Sequence, residues 1–193
     1  YDLSAFGLYY DDRLGEILKN ETRINAEGED VETGRVVRFR GNIGTAIIYG
    51  LEGFADLDVA RLLFPVNERI RLNYFLNLAL TNSEYIRSEQ NNVEGNKVEF
   101  IPEVNLKTGL RFGYGNLLGS LQYTYLSEQF TDATNAPRDP EDNQRGIEGT
   151  IPAYDIMDLS LSYSFGKLRL EARINNLLNN SYFKGSATGY PGA

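Results

Sequence analysis

The sequence predicts an all-β chain forming part of an antiparallel, up-and-down transmembrane β-barrel, with short turns at one end of its strands and long loops at the other. Three observations predict it. Long stretches alternate apolar and polar residues with a period of two, so each strand has one apolar and one polar face. The links between them are either glycine-bearing pairs or long polar segments. Tyrosine and phenylalanine collect at strand ends, as at the interfaces of a membrane-crossing sheet.

The first stretch, Leu3 to Tyr10, is strand-like, but its alternation does not fix a register. A polar loop is expected over residues 19 to 40. From Ile47 to Val59 the residues Ile47, Tyr49, Leu51, Leu57 and Val59 oppose Glu52, Asp56 and Asp58. Next, Leu72, Tyr74, Leu76, Leu78 and Leu80 share one face, and Asn73, Asn77 and Thr81 the other. A helix would scatter them. After a loop expected at 84 to 102, Val104, Leu106, Thr108, Leu110, Phe112 and Tyr114 alternate with Asn105, Lys107, Gly109, Arg111 and Gly113. Gly115-Asn116 is a two-residue hairpin link whose glycine supplies a positive φ. It leads to Leu117, Gly119, Leu121, Tyr123 and Tyr125, set against Ser120, Gln122 and Thr124.

A third long loop is expected at 129 to 154. Met157, Leu159, Leu161, Tyr163 and Phe165 then oppose Asp158, Ser160, Ser162 and Ser164. Gly166-Lys167 is a second tight link. It joins Leu168, Leu170, Ala172 and Ile174, opposed by Arg169, Glu171, Arg173 and Asn175, and a loop-like tail begins near residue 179. The total is about seven strands. Long loops are uncommon in compact domains and usually carry function.

Alternation alone does not say which face meets water. A lipocalin-like barrel or a β-sandwich would bury the apolar face, and a porin-like barrel would turn it toward lipid. Strands of about ten residues suit a tilted membrane crossing. The mid-strand charges Lys107, Arg111, Arg169, Glu171 and Arg173 suit a wet lumen, and the aromatic girdle and the two turn lengths point the same way. Seven strands cannot close around such a lumen, so further strands are expected. The chain opens at Tyr1 inside an apolar-polar pattern and stops at Pro191-Gly192-Ala193. It is expected to be a mature, processed or partial sequence followed by at least one more strand.

Composition removes several functions. The 193 residues contain no cysteine and no histidine, which takes away disulfides, thiolate metal sites and the usual general base. No catalytic residue, metal site or cofactor is expected. The net charge of -8 disfavours nucleic acid. Arginine outnumbers lysine fourteen to five, and its planar fork suits carboxylate and phosphate. No apolar run reaches the roughly 20 residues of a spanning helix.

Particular motifs carry a family resemblance. Asn42-Ile43-Gly44 with Gly50-Leu51-Glu52, the run Leu126 to Asn135 (LSEQFTDATN), Ile151-Pro152-Ala153-Tyr154 with Asp158-Leu159-Ser160, and above all Asn175 to Phe183 (NNLLNNSYF) resemble the C-terminal region of TonB-dependent outer-membrane receptors. The tail Ala187 to Gly192 is most similar to the ferric-citrate (FecA-like) branch. The resemblance implies that residues 1–193 are the C-terminal part of a barrel of roughly 22 strands, with the plug domain and the final strand outside this sequence. It implies active import of a ferric siderophore or iron chelate across the outer membrane of a Gram-negative bacterium. TonB would supply the energy through the plug region, and the partners would be outer-membrane lipid and the rest of the receptor.

A ferric chelate brings its own oxygen ligands and is anionic, so charge-assisted donors are needed. Arg87, Arg138 and Arg145 in the expected outer loops are the candidates for it. Solubility and lipopolysaccharide contact are the competing roles. Lys107, Arg111, Arg169 and Arg173 are expected to face the lumen. Asp132, Asp139, Glu141 and Asp142 lack the spacing of a calcium loop and are expected to be a solvated acidic loop. A passive porin or adhesin barrel is the alternative function. A lipase or protease would need an activated nucleophile, for which no base is present.

Overall fold

In a computed structural model of the chain, which describes residues 1–67, 69–138, 149–183 and 191–192, the alternating stretches form strands. In chain order the elements are β1 (Asp2–Ile24), β2 (Asp30–Asp58), α1 (Val59–Leu63), β3 (Ile70–Arg87), β4 (Val104–Tyr114), β5 (Leu117–Leu126), β6 (Gln129–Phe130), β7 (Thr150–Ile151), β8 (Tyr154–Phe165), β9 (Leu168–Ile174), β10 (Tyr182–Phe183) and β11 (Pro191–Gly192). Seven of them make one sheet in the order β1-β2-β3-β4-β5-β8-β9, and β6-β7 and β10-β11 are separate ladders. Every neighbouring pair in the large sheet is antiparallel. This is the architecture of part of an up-and-down barrel, an open wall ending at β1 and β9.

Both tight turns form as expected. Gly115 and Gly166 adopt φ values of 55° and 59°, which only glycine reaches at no steric cost. They bring Tyr114 opposite Leu117 and Phe165 opposite Leu168. The third connection at this end departs from that pattern, since residues 59 to 69 carry α1, capped by the Asp58 carboxylate accepting from the Arg61 N–H at 2.9 Å.

The apolar face is uncovered: Leu51, Leu57, Phe165, Leu168 and Leu170 are all at least half exposed. Among the described residues the seven strands form one sheet, with β6-β7 and β10-β11 as separate two-stranded ladders. On the polar face the Phe75 ring covers Gly109, where a Cβ would fall 2.2 Å from the Leu121 carbonyl oxygen.

The loop expected at 19 to 40 is corrected. Only residues 25 to 29 form a turn, in which the Asn25 side chain accepts from the N–H groups of Glu27 (3.0 Å) and Glu29 (2.8 Å). The rest is a β-ribbon, giving β1 23 residues and β2 29, more than twice the length of a tilted crossing. Cross-strand polar pairs hold it, with Asn20 donating to Glu32 (3.1 Å), Thr33 to Glu21 (2.8 Å) and Arg38 to Glu16 (3.2 Å). The loop expected at 84 to 102 likewise begins four residues late, after Arg87, and the one expected at 129 to 154 contains β6 and β7.

The unresolved register of the first stretch has a structural cause. β1 and β2 are irregular between Tyr10 and Leu14, with Asp12 at φ 55°. Past this bulge the buried positions on β2 change from the even residues Ala46 and Ile48 to Ile43, and Ile17 is buried on β1. A bulge shifts side chains to the other face.

Candidate functional site

The buried core lies at the long-loop end of the wall. Ile17, Ile43, Ala46, Ile48, Tyr85, Val93, Val98 and Ala133 form one cluster, drawn from the β1–β2 ribbon, the end of β3 and two long loops. Backbone bonds sew these pieces into a cap. Tyr85 donates to the Asn96 carbonyl (2.9 Å), Gly95 to the Tyr85 carbonyl (2.8 Å), Phe100 to Phe130 (2.9 Å) and Ala133 to Glu16 (2.8 Å). Asn135 joins the loops twice, accepting from the Lys97 N–H (2.7 Å) and donating to the Lys97 carbonyl (2.9 Å).

Inside the cap, Arg13 donates to the Glu99 carboxylate (2.6 Å) and to the Tyr85 hydroxyl (2.9 Å), and Tyr85 donates to the second Glu99 oxygen (2.8 Å). Tyr85 is fully buried and Glu99 is 5% exposed. Gly15 makes room, since a Cβ there would lie 2.5 Å from Glu99 Oε1. Burial, aided by the Glu99 charge, pushes the Tyr85 phenol well above its ordinary value of 10.0. The folded cap therefore keeps this proton where the unfolded chain releases it. That stabilisation is complete below pH 10 and falls as pH rises beyond it. Raising the pH through 10 is expected to lower the protease protection of the wild-type cap, whereas that of Tyr85→Phe is expected to change less. Equal pH profiles would refute this.

The structure does not bring the three candidate loop arginines into one site. Arg87, exposed at the end of β3, lines a cleft of about 300 Å³ with Asp11, Asp12, Ser88, Glu89 and Gln90. Carboxylates outnumber the arginine there, so this cleft does not favour an anion. Arg138 is exposed beyond β6, and Arg145 lies outside the described residues.

The charges expected to line the lumen do share the polar face. Arg111 pairs with Asp56 across β3, Asn73 donates to the same carboxylate (3.2 Å), and the guanidinium lies 5.4 Å from the Phe75 ring centroid. In register, Arg111, Ser120, Ser160 and Arg173 form one row across four strands. Arg169 pairs with Glu171 at 2.8 Å, and Lys107 stands opposite Asn77 and Thr124. These pairs are exposed and add little stability. Their chemical effect is a polar wall of serine hydroxyls bordered by guanidinium groups, with a cleft of about 180 Å³ between Ser120, Ser160, Ser162, Arg169 and Arg173.

Two motifs have structural duties. Asp132, expected to be solvated, is 2% exposed; it accepts from the Thr134 N–H at 2.8 Å and from the Thr134 hydroxyl. The expectation failed because Asp132 turns its own loop. Asp139, Glu141 and Asp142 lie outside the described residues. In the Asn175 to Phe183 motif, Asn176 (φ 52°) donates to the Asn180 carbonyl (2.9 Å) and accepts from its N–H (3.1 Å), and Asn180 donates to Asp155 (3.1 Å). Sequence reading missed Arg13, Tyr85 and Glu99. Its only signal was the acidic break in alternation at Asp11-Asp12.

A family model described as TonB dependent receptor-like, beta-barrel, matches residues 1–177. Among solved structures, the chain is similar to the unliganded ferric citrate transporter FecA, with 24% identity and a TM-score of 0.66, covering 98% of this chain and 29% of that one. It is also similar to the ferric yersiniabactin uptake receptor FyuA from Yersinia pestis (17%, TM-score 0.55, 96% and 34%) and to the copper transporter OprC (14%, TM-score 0.54, 98% and 27%). The chain thus spans about a third or less of each of these proteins. At these identities the likeness is one of fold. No curated protein sequence matches the chain.

Proposed function

This chain belongs to the TonB-dependent receptor-like β-barrel family, a family of transporters and not enzymes, and we propose that it is part of an outer-membrane active transporter importing a ferric siderophore or iron chelate. The observation that carries the reading is the single-layer wall: an apolar face left bare, a charged face opposite, and the longest loops gathered at one end. The apolar face meets lipid, the polar face lines the lumen with Lys107, Arg111, Arg169 and Arg173, and the capped end faces outward. The remainder of the receptor continues the sheet from β1 and β9. TonB acts through a plug region beyond this sequence. Arg87, Arg138 and Arg145 are proposed contacts for the anionic chelate, with Arg87 the weakest because of its acidic neighbours. Ferric citrate is the favoured substrate, on the motif at Ala187 to Gly192.

Deleting the gene in its Gram-negative host is expected to abolish uptake of radiolabelled iron from one chelate, ferric citrate first, and deleting TonB is expected to have the same effect. Uptake that persists without TonB, together with constitutive single-channel conductance of the purified full-length protein, would instead establish a passive porin.

A further inference from the structure

On the apolar face, toward the capped end, Ala5, Leu51, Leu80 and Val104 stand opposite one another across four consecutive strands. They line a groove of about 710 Å³. Phe6, Gly50 and Thr81 also line it, and Ala5 closes its β1 end with a small side chain. Two pairs nearer the cap, on the same face, Tyr49 stands opposite Asn82, and the Asn82 amide donates to the Tyr49 hydroxyl. Asn82 in turn accepts from the ammonium of Lys97, which also lies 2.6 Å from Glu103 Oε1. The groove is therefore apolar below and rimmed by a phenol, an amide and a cation.

We propose that this groove holds an acyl chain of a phosphorylated, multiply acylated lipid of the outer leaflet, a lipid A, whose phosphate meets Lys97. The inference rests on the membrane reading given under Proposed function. Position supports it: the row is continuous with the apolar face below, and Tyr49 and Asn82 mark where that face turns polar, the level at which aromatic and cationic side chains meet headgroups. Charge supports it as well. Glu103 is 58% exposed in its pair with Lys97, so a phosphate displaces it at little cost, and Asn82 keeps the ammonium aimed at the rim. An acyl chain covers leucine side chains that the strands themselves leave bare.

The full-length receptor, purified from the outer membrane in mild detergent and supplied with lipid A, is examined by native mass spectrometry. Ala5→Phe fills the groove and Lys97→Gln removes the cation, and each is expected to weaken lipid A retention roughly tenfold. Leu72→Phe, on the same face nearer the tight turns, is expected to leave retention unchanged. Heat-modifiable migration on gels reports folding, and should Ala5→Phe fail to fold, Lys97→Gln decides. Equal retention by all variants overturns the proposal, as does equal retention of phosphatidylglycerol and lipid A by the wild type. A receptor recovered from the outer membrane with no such difference refutes the groove alone. One absent from that membrane refutes the transporter reading with it.

Discussion

Arg13→Met is expected to detach the cap from the wall of the full-length receptor. The guanidinium is the one cation in contact with Glu99 among the described residues, and Glu99 is 5% exposed. Removing it leaves a buried carboxylate with only the Tyr85 hydroxyl as partner. Breaking a buried pair from one side costs about 3–5 kcal/mol. The loss falls on the contact between the β1–β2 ribbon and the loop from residue 88 to 103, because Arg13 and Glu99 belong to different pieces. The backbone bonds of the strands below are untouched. The barrel should therefore persist while the loop opens, and proteases added to intact cells should cleave between Ser88 and Glu103 much faster than in the wild type. The triple replacement Arg13→Met, Tyr85→Phe, Glu99→Leu removes every buried polar atom of the network and is expected to restore protection, since an apolar substitute for a buried ionic cluster is often neutral or stabilising. Protection unchanged in Arg13→Met would mean that the apolar cluster of Ile17, Ile43 and Val98 suffices to hold the cap.

Such a cap shows where sequence reading reached its limit. Within the wall, one face is apolar and the other polar, so the period of two exposes each strand, and β4, β5 and β9 lie within a residue of their expected bounds. Beyond the wall the ribbon from Leu14 to Phe39 has polar groups on both faces. Alternation disappears there although strand pairing continues, so a β-ribbon reads as a loop. The bulge at Asp11-Asp12 hides the register for a related reason, because it exchanges faces halfway along a strand. Within the wall, the face shared by Lys107, Arg111, Arg169 and Arg173 follows from parity alone. Arg13, Tyr85 and Glu99 are brought together by the topology of two loops, with separations of 72 and 86 residues from Arg13, and no local pattern carries that. The asparagine-rich motif was recognisable as a family trait before its physical reason was visible.

That reason makes a second large effect predictable. Asn176 holds a left-handed backbone conformation at φ 52°, and its side chain clamps both polar groups of the Asn180 backbone. Alanine in that conformation costs about 1–2 kcal/mol, and the two lost hydrogen bonds cost roughly 1 kcal/mol each. Asn176→Ala is therefore expected to destabilise the end of β9 by about 3 kcal/mol, seen as a lower temperature for the heat-induced gel shift of the full-length receptor and faster proteolysis just after Ile174. Asn176→Gly separates the two causes, because glycine accepts the backbone conformation and loses only the clamp; about two-thirds of the effect should remain. The second asparagine in the chain of contacts, Asn180, reaches back to Asp155 at the start of β8, while the Asn176 N–H reaches Asp158 on the same strand at 2.8 Å. The motif thus fastens the segment after β9 to the strand before it, a duty independent of the imported ligand. Iron uptake by Asn176→Ala should fall in proportion to the amount of folded receptor, with the preference among chelates unchanged. A change in that preference at constant receptor level would instead place the motif in the ligand path.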